Sequence, residues 1–171
     1  MKKYKDIIIG ISCCIVILGG LIWLARPQTP AASNFAALSP ENLSAVGLES
    51  HDNFYDFGTI SMAAGNVNHG FKIKNADVKP NQITKIYTSC MCTTAYLLIK
   101  DKRSGPFGMP GHGFVPPVNK IIDAGEEATI EVVFDPTAHG PAGIGPIQRT
   151  VYVEQENQNI LQLEIAANVK P

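Results

Sequence analysis

The chain of 171 residues is long enough for one domain of ordinary size with appendages, and its composition excludes several classes of protein. Hydrophobic residues make up 45% and charged residues 17%, which suits a globular fold and excludes a wholly disordered chain. The formal net charge is −1, and residues 27–171 carry ten basic and fourteen acidic side chains. This mildly acidic body lacks the positive surface that binds phosphate backbones, so we expect no nucleic-acid partner.

The N-terminal residues 1–25 predict a transmembrane anchor. Three lysines precede a run of 18 uncharged residues, Ile7 to Leu24, which Arg26 follows. As a helix this run spans about 27 Å, close to the roughly 30 Å of bilayer hydrocarbon. The lysines favour a cytoplasmic N-terminus, so the rest of the chain is expected on the extracytoplasmic face, at the cell membrane or in the periplasm. A cleaved signal segment is the alternative to an uncleaved membrane helix.

Two further regions follow the anchor. Residues 26–52 mix Pro, Ala, Ser and Asn with few large apolar groups, which predicts a flexible linker. In residues 53–171, short apolar runs alternate with turn residues, and Val67 to Ile73 shows the period of two that is typical of a half-buried strand. About seven strands over about 120 residues predict an all-β fold, an immunoglobulin-like two-sheet β-sandwich. The predicted strands cover residues 54–59, 67–73, 82–88, 94–100, 130–134, 148–154 and 161–169.

Cys90 and Cys92 are the strongest candidates for chemistry, because they lie directly after a predicted strand and are separated by one residue. In extended backbone, residues i and i+2 point to the same face, so both sulfurs are expected to converge. Thiolates are soft ligands suited to copper(I) or zinc. A small, strained disulfide and a pair of inert buried side chains are the alternatives. An oxidising exterior would oxidise a free, unprotected thiol pair. We therefore rank a metal site first, a disulfide second and inert side chains third.

A stretch rich in glycine and proline, residues 105–117, contains two more potential ligands. Eight of its 13 residues are Gly or Pro, which predicts an ordered loop and not a strand. Met109 and His112 interrupt this pattern. Thioether, imidazole and two thiolates form the donor set of copper electron-transfer sites, whereas zinc prefers a second imidazole. The alternative is that Met109 covers the sheet and His112 is solvated.

Histidines elsewhere in the chain differ in their prospects as ligands. His139 lies in a second loop rich in Gly and Pro, and it supplies another imidazole if this loop folds toward the cysteines. Otherwise it is a turn histidine bonded to backbone. His69 is predicted to face inward as a core histidine, and His51 is given no role. The predicted metal ligands are Cys90, Cys92, Met109, His112 and His139, with copper as the expected metal and zinc as the alternative.

Templates for catalysis are not matched. The glycines at 140, 143 and 145 are followed by no Lys-Ser/Thr pair and by no predicted helix, so they form no phosphate-binding loop. There is no Gly-x-Ser-x-Gly motif. The sequence leaves catalysis open and favours a role without it.

Five motifs follow one another along the chain: Phe-Gly-Thr-Ile at 57–60, the alternating strand at 65–75, Ser-Cys-Met-Cys-Thr-Thr at 89–94, Ala-Gly-Glu at 124–126 and Phe-Asp-Pro at 134–136. In this order they resemble the bacterial domain of unknown function 1573 family. The resemblance covers roughly Phe54 to Val169 and implies an immunoglobulin-like sandwich related to the Hydin-type domains. The family typically has Ser-Cys-Gly-Cys-Thr, so Met91 stands here in place of glycine, and the insertion that holds Met109 and His112 is longer than in simple members.

Three functions are compatible with these features. The first is a membrane-anchored extracytoplasmic sandwich that binds copper for metal carriage or electron transfer. The second is a non-catalytic interaction or assembly module, in which the cysteine pair is structural and strand edges bind a protein partner. The third is a thiol-disulfide redox protein.

Overall fold

The computed structural model describes residues 47–171, which form two five-stranded β-sheets. The predicted membrane segment at 1–25 lies outside the described residues. Within residues 47–171, no helix is long and apolar enough to cross a membrane. The strands are β1 (Leu48–Ser50), β2 (Phe54–Ser61), β3 (Val67–Asn75), β4 (Asn81–Thr88), β5 (Thr93–Ile99), β6 (Lys102–Phe107), β7 (Lys120–Ile122), β8 (Glu127–Phe134), β9 (Gly145–Gln155) and β10 (Ile160–Lys170).

Strand pairing is antiparallel except at one edge. The first sheet has the order β1-β3-β8-β5-β6 and the second has the order β2-β10-β9-β4-β7. Strand β2 pairs with β10 in parallel, which joins an early strand of the described region to its last strand. The predicted all-β fold of two sheets is therefore confirmed.

A single hydrophobic core fills the space between the sheets. It is built from the inward positions of alternating strands, as in β8, where Ala128, Ile130, Val132 and Phe134 are buried and their neighbours are not. Alternation places successive side chains on opposite faces, so each strand supplies apolar groups to the core and polar groups to the surface. The burial of these side chains is the main source of stability for the sandwich.

Two differences from the sequence prediction concern residues 102–107 and the strand count. Gly105, Pro106 and Phe107, predicted as part of a loop, belong to β6, and the Phe107 side chain is buried in the core. Gly105 has a φ of 125°, and the pairing of β5 with β6 changes register beside it. Glycine tolerates this conformation, so the strand continues through residues that usually end one. There are ten strands in the described region, not about seven.

The sheet begins at Leu48, inside the range 26–52 for which the sequence predicts a linker. Strand β1 pairs with β3, and the Leu48 side chain is buried. The Leu48 N–H donates to Oε1 of Gln155 at 2.8 Å, and the Asn81 amide donates to the same oxygen at 2.8 Å. One buried glutamine thus holds β1 of the first sheet against β4 and β9 of the second.

Candidate metal centre

The two cysteines lie in a tight turn between β4 and β5. The Thr93 N–H donates to the Cys90 carbonyl at 3.1 Å, which closes a β-turn over residues 90–93. The Thr88 hydroxyl donates to the carbonyls of Cys90 and Thr93, each at 3.0 Å. The expectation that extended backbone brings the sulfurs together is wrong. They converge because the chain reverses direction between them.

The thiol groups are in direct contact, and both cysteines are free. The Cys92 thiol donates to the Cys90 sulfur, with the two Sγ atoms 2.7 Å apart. Cys92 is buried and Cys90 is half-buried. Met91 between them is exposed. The Cys92 side chain therefore belongs to the core, and the Cys90 side chain packs against the core while it stays partly accessible.

His139 joins the cysteines from the loop after β8. Its Nε2 lies 3.1 Å from the Cys90 Sγ. The Asp135 carboxylate accepts hydrogen bonds from the N–H and the hydroxyl of Thr137, at 2.8 and 2.7 Å, and these bonds shape the start of the loop. A Cβ added to Gly143 would lie 3.2 Å from the His139 Cβ, so the absence of a side chain there leaves room for the histidine.

Together these three residues form a group of potential metal ligands. The two sulfurs and an imidazole nitrogen all lie within 4.8 Å of one another. No carboxylate oxygen belongs to this group in residues 47–171. Since ligand bonds to a metal such as zinc are about 2.0–2.3 Å long, two ligands on opposite sides of one ion are at most about 4.6 Å apart. Small side-chain adjustments would bring all three onto one ion.

Arg149 of β9 is part of the site, although sequence reasoning missed it. Its Nε donates to the Cys92 Sγ at 3.3 Å, across 57 positions of sequence. Its Nη1 donates to the Gln148 carbonyl at 2.8 Å. The sequence offers one feature that could have pointed to Arg149: it is the only Lys or Arg between Lys120 and Lys170. Nothing in its local pattern connects it to the cysteines.

The surroundings of the two thiols lower the pKa of Cys90 and raise the pKa of Cys92. Burial alone would raise the pKa of Cys90, but hydrogen bonds from the Cys92 thiol and backbone, a bond to His139 and the charge of Arg149 lower this pKa to about 7. Burial and the hydrogen bond to Cys90 raise the pKa of Cys92, while the bond from Arg149 opposes this change. In the metal-free, reduced protein, Cys90 is therefore the thiol that ionises first, and the Cys92 thiol donates a hydrogen bond to it.

The remaining predicted ligands, Met109 and His112, lie in the loop after β6. His112 is exposed, its N–H donates to the Met109 carbonyl at 3.2 Å, and it does not belong to the ligand group. Met109 is half-buried, and no hydrogen bond joins its sulfur to either thiol among residues 47–171. The loop nevertheless starts close to the site, because the Gly108 carbonyl accepts the Thr88 N–H at 3.2 Å.

His69, predicted as a core histidine, is half-buried between aromatic rings. Its ring stacks on Tyr55, with centroids 3.7 Å apart, and meets Phe71 edge-on at 4.7 Å. His51 is exposed and lies 3.8 Å from Asp52. Neither histidine belongs to the ligand group.

Solved structures are similar to this chain at low sequence identity. A protein of unknown function from Porphyromonas gingivalis W83 has a TM-score of 0.51 and 16% identity, over 79% of this chain and 51% of that chain. The PapD-like domain 7 of human CEP192 has a TM-score of 0.46 and 11% identity, over 74% of this chain and 87% of that chain. The secreted serine protease VesC from Vibrio cholerae has a TM-score of 0.45 and 9% identity, over 72% of this chain and 23% of that chain. This chain thus spans about half of the P. gingivalis protein and under a quarter of VesC.

A family match covers the region that contains the cysteine turn. No curated protein matches the chain. Residues 48–104 match the family described as "Protein of unknown function (DUF1573)". The matched range includes Cys90 and Cys92 and ends before the loop with His139. The resemblance to the bacterial domain of unknown function 1573 family is therefore confirmed over residues 48–104 of this β-sandwich.

Proposed function

We propose that the sandwich binds one soft metal ion, copper(I), through Cys90, Cys92 and His139. The observation that carries this proposal is that two sulfurs and one imidazole nitrogen from two separate loops lie within 4.8 Å of one another. Thiolate and imidazole are ligands that copper(I) accepts at low coordination number, whereas structural zinc sites require four ligands. Met109 and His112 remain predicted additional ligands, because their loop begins beside Thr88 at the cysteine turn.

The position of the site suits metal carriage. Cys90 is half-buried and His139 is exposed, so two of the three ligands are accessible from solvent, while Cys92 is anchored in the core. Exchange of an ion with a partner protein requires such accessible ligands, because the incoming ligands must reach the metal before the outgoing ones leave. Electron transfer at the same ion would require a second oxidation state, copper(II), to be bound as well.

Metal titration tests this proposal directly. The reduced protein and the Cys90→Ser/Cys92→Ser variant would be titrated with copper(I), copper(II) and zinc(II), with bound metal measured after dialysis. We expect one copper(I) per chain, lost in the double variant. His51→Ala is the matched control, since His51 is an exposed histidine outside the ligand group. Failure of the reduced wild-type protein to retain any metal would refute the proposal and favour the interaction module.

A second candidate function, thiol-disulfide exchange, is favoured by the opposite pKa shifts of the two thiols. The Cys90 thiolate would attack a substrate disulfide and release one substrate thiolate. Cys92 would then lose its proton, displace the second substrate thiolate and form a Cys90–Cys92 disulfide, so the substrate gains the two electrons that the cysteines lose. Equilibration with glutathione at defined ratios, followed by mass spectrometry, would show reversible loss of two hydrogens. A pair that stays reduced in oxidised glutathione would exclude this function.

We also propose that the domain acts on the extracytoplasmic side of a membrane, anchored by residues 1–25. The support is the sequence pattern of basic residues followed by 18 uncharged ones. Fractionation of cells that express the full chain would place it in the membrane fraction, and protease added outside the membrane would remove the sandwich. A chain recovered intact in the soluble cytoplasmic fraction would contradict this location.

A further inference from the structure

The guanidinium group of Arg149 is directed at a sulfur and has no acidic partner within the described part of the chain. Its Nε donates to the Cys92 Sγ at 3.3 Å, and no carboxylate oxygen within residues 47–171 forms an ion pair with it. Arg103 shows the usual arrangement, with its Nε 2.8 Å from the Glu131 carboxylate. Arg149 is only partly exposed, so water screens its charge less than it would screen a surface arginine. Its positive charge therefore acts mainly on the cysteine pair.

We propose that Arg149 is the specificity-determining residue that makes this centre prefer a monovalent soft cation, copper(I), over divalent zinc(II). The inference rests on the proposed metal-binding function and concerns the choice of ion at the same ligands. Arg149 contacts the ligand Cys92 but does not itself bind the metal.

Charge balance at this partly buried site distinguishes the two ions. Metal binding deprotonates both cysteines and leaves His139 neutral, so the three ligands contribute two negative charges. With copper(I), the ion and its ligands carry one net negative charge, which Arg149 neutralises. With zinc(II), the ion and its ligands are already neutral, and Arg149 leaves one uncompensated positive charge. An uncompensated charge in a partly buried site is costly, so the arginine favours the monovalent ion.

A purely structural role for Arg149 makes a different prediction. Its bond to the Gln148 carbonyl, at 2.8 Å, would serve to hold the side chain against β9. Loss of such a support would loosen the ligands and weaken the binding of both ions by similar factors. The ratio of the two affinities therefore distinguishes a role in specificity from a role in support.

Competition titrations with chelators of known affinity would measure this ratio. Copper(I) and zinc(II) would each be titrated into wild-type protein, Arg149→Gln, Arg149→Met and Arg149→Lys. We expect both neutral variants to shift the ratio of dissociation constants at least about tenfold toward zinc, as expected for a unit charge a few ångströms from the ion. Arg149→Lys retains the charge and should keep most of the preference for copper(I). Arg103→Gln, which makes the same change in net charge at the Glu131 ion pair, should leave the ratio unchanged.

The outcomes separate this inference from the proposed function. Wild-type protein that binds copper(I), with a ratio that stays within about twofold in both neutral variants, would overturn the role of Arg149 and leave the metal centre standing. Wild-type protein that binds neither ion would overturn both. Near-ultraviolet circular dichroism would verify that each variant is folded, and the two neutral variants give independent measurements of the same shift.

Discussion

The backbone N–H of Asp135 donates to the carbonyl of Cys92 at 2.9 Å. This bond joins the turn that carries both thiols to the first residue of the loop that carries His139. The Asp135 carboxylate then shapes that loop through its bonds to Thr137. The three potential ligands are therefore held by two loops that are tied together at their base, although Cys90 and His139 are 49 positions apart in the sequence.

The His139→Ala variant should bind copper(I) at least about tenfold more weakly than wild type, because it removes one of three ligands while both thiols remain. His139 is exposed and contributes little to the core, so the unfolding midpoint should change little. Chelator competition measures the affinity. His51→Ala is the matched control, and equal affinities for the two variants would remove His139 from the ligand set.

The Gly143→Ala variant should weaken copper(I) binding by less than His139→Ala does. The added methyl group would lie 3.2 Å from the His139 Cβ, so the histidine must shift. Gly108→Ala is the matched control, because a Cβ at Gly108 meets no atom within 4 Å. If Gly143→Ala retains wild-type affinity, then the position of His139 does not depend on this close approach.

Alkylation of the reduced, metal-free protein should show a reactive Cys90 and a protected Cys92. With a pKa of about 7, Cys90 is about half thiolate at pH 7, whereas a thiol with the unperturbed value of 9.0 is only about 1% thiolate. The reaction of Cys90 with iodoacetamide should therefore slow as the pH falls through about 7. Cys92, whose pKa is raised, should react only at higher pH. Peptide mass spectrometry after short pulses measures both rates, and equal pH profiles would contradict the assignment.

The pKa shifts of Cys90 and Cys92 make the stability of the fold depend on pH in opposite directions. The folded-state pKa of Cys90 lies below its unfolded value, so its contribution is present above the unfolded pKa and is lost as the pH falls through about 7. The pKa of Cys92 is raised on folding, so its contribution is present at low pH and is lost as the pH rises through the folded pKa. The Cys92→Ser variant should therefore be less destabilised by an increase in pH than wild type, as measured by denaturant unfolding.

The Gln155→Met variant should lose about 1–3 kcal/mol of unfolding free energy. Its Oε1 accepts hydrogen bonds from the Leu48 N–H and the Asn81 amide, and methionine leaves both donors unsatisfied in a buried position. Hydrogen exchange at Leu48 should accelerate more than exchange in β8. Gln148→Met is the matched control at an exposed position and should change stability by less than about 0.5 kcal/mol. Equal unfolding free energies for the two variants would show that Gln155 does not hold β1 in place.

The long strands were predictable from sequence because each buries one face. In β3, the inward positions Phe71 and Ile73 alternate with exposed lysines, and this period of two is a direct consequence of strand geometry. Strands β1 and β7 have three residues each, too few to show a period. Strand β6 contains Gly105 and Pro106, whose usual preference is for turns, and its place in the sheet depends on pairing with β5.

The site was predictable only in part, because proximity in sequence and proximity in space differ. Cys90 and Cys92 were found as a pair, but a turn and not an extended strand brings their sulfurs together. His139 was a candidate because its loop is rich in Gly and Pro, and its position depends on the bond between Asp135 and Cys92. Arg149 was missed because its contact with Cys92 results from the packing of β9 against the cysteine turn, which no local pattern encodes.

X-ray absorption spectroscopy of the copper(I)-loaded, reduced protein tests the central claim most directly. We predict a coordination shell of two sulfurs and one imidazole nitrogen, with the imidazole signal absent in His139→Ala and no copper retained by Cys90→Ser/Cys92→Ser. A shell without sulfur, or a spectrum identical in wild type and the double cysteine variant, would contradict the assignment of Cys90, Cys92 and His139 as the metal ligands.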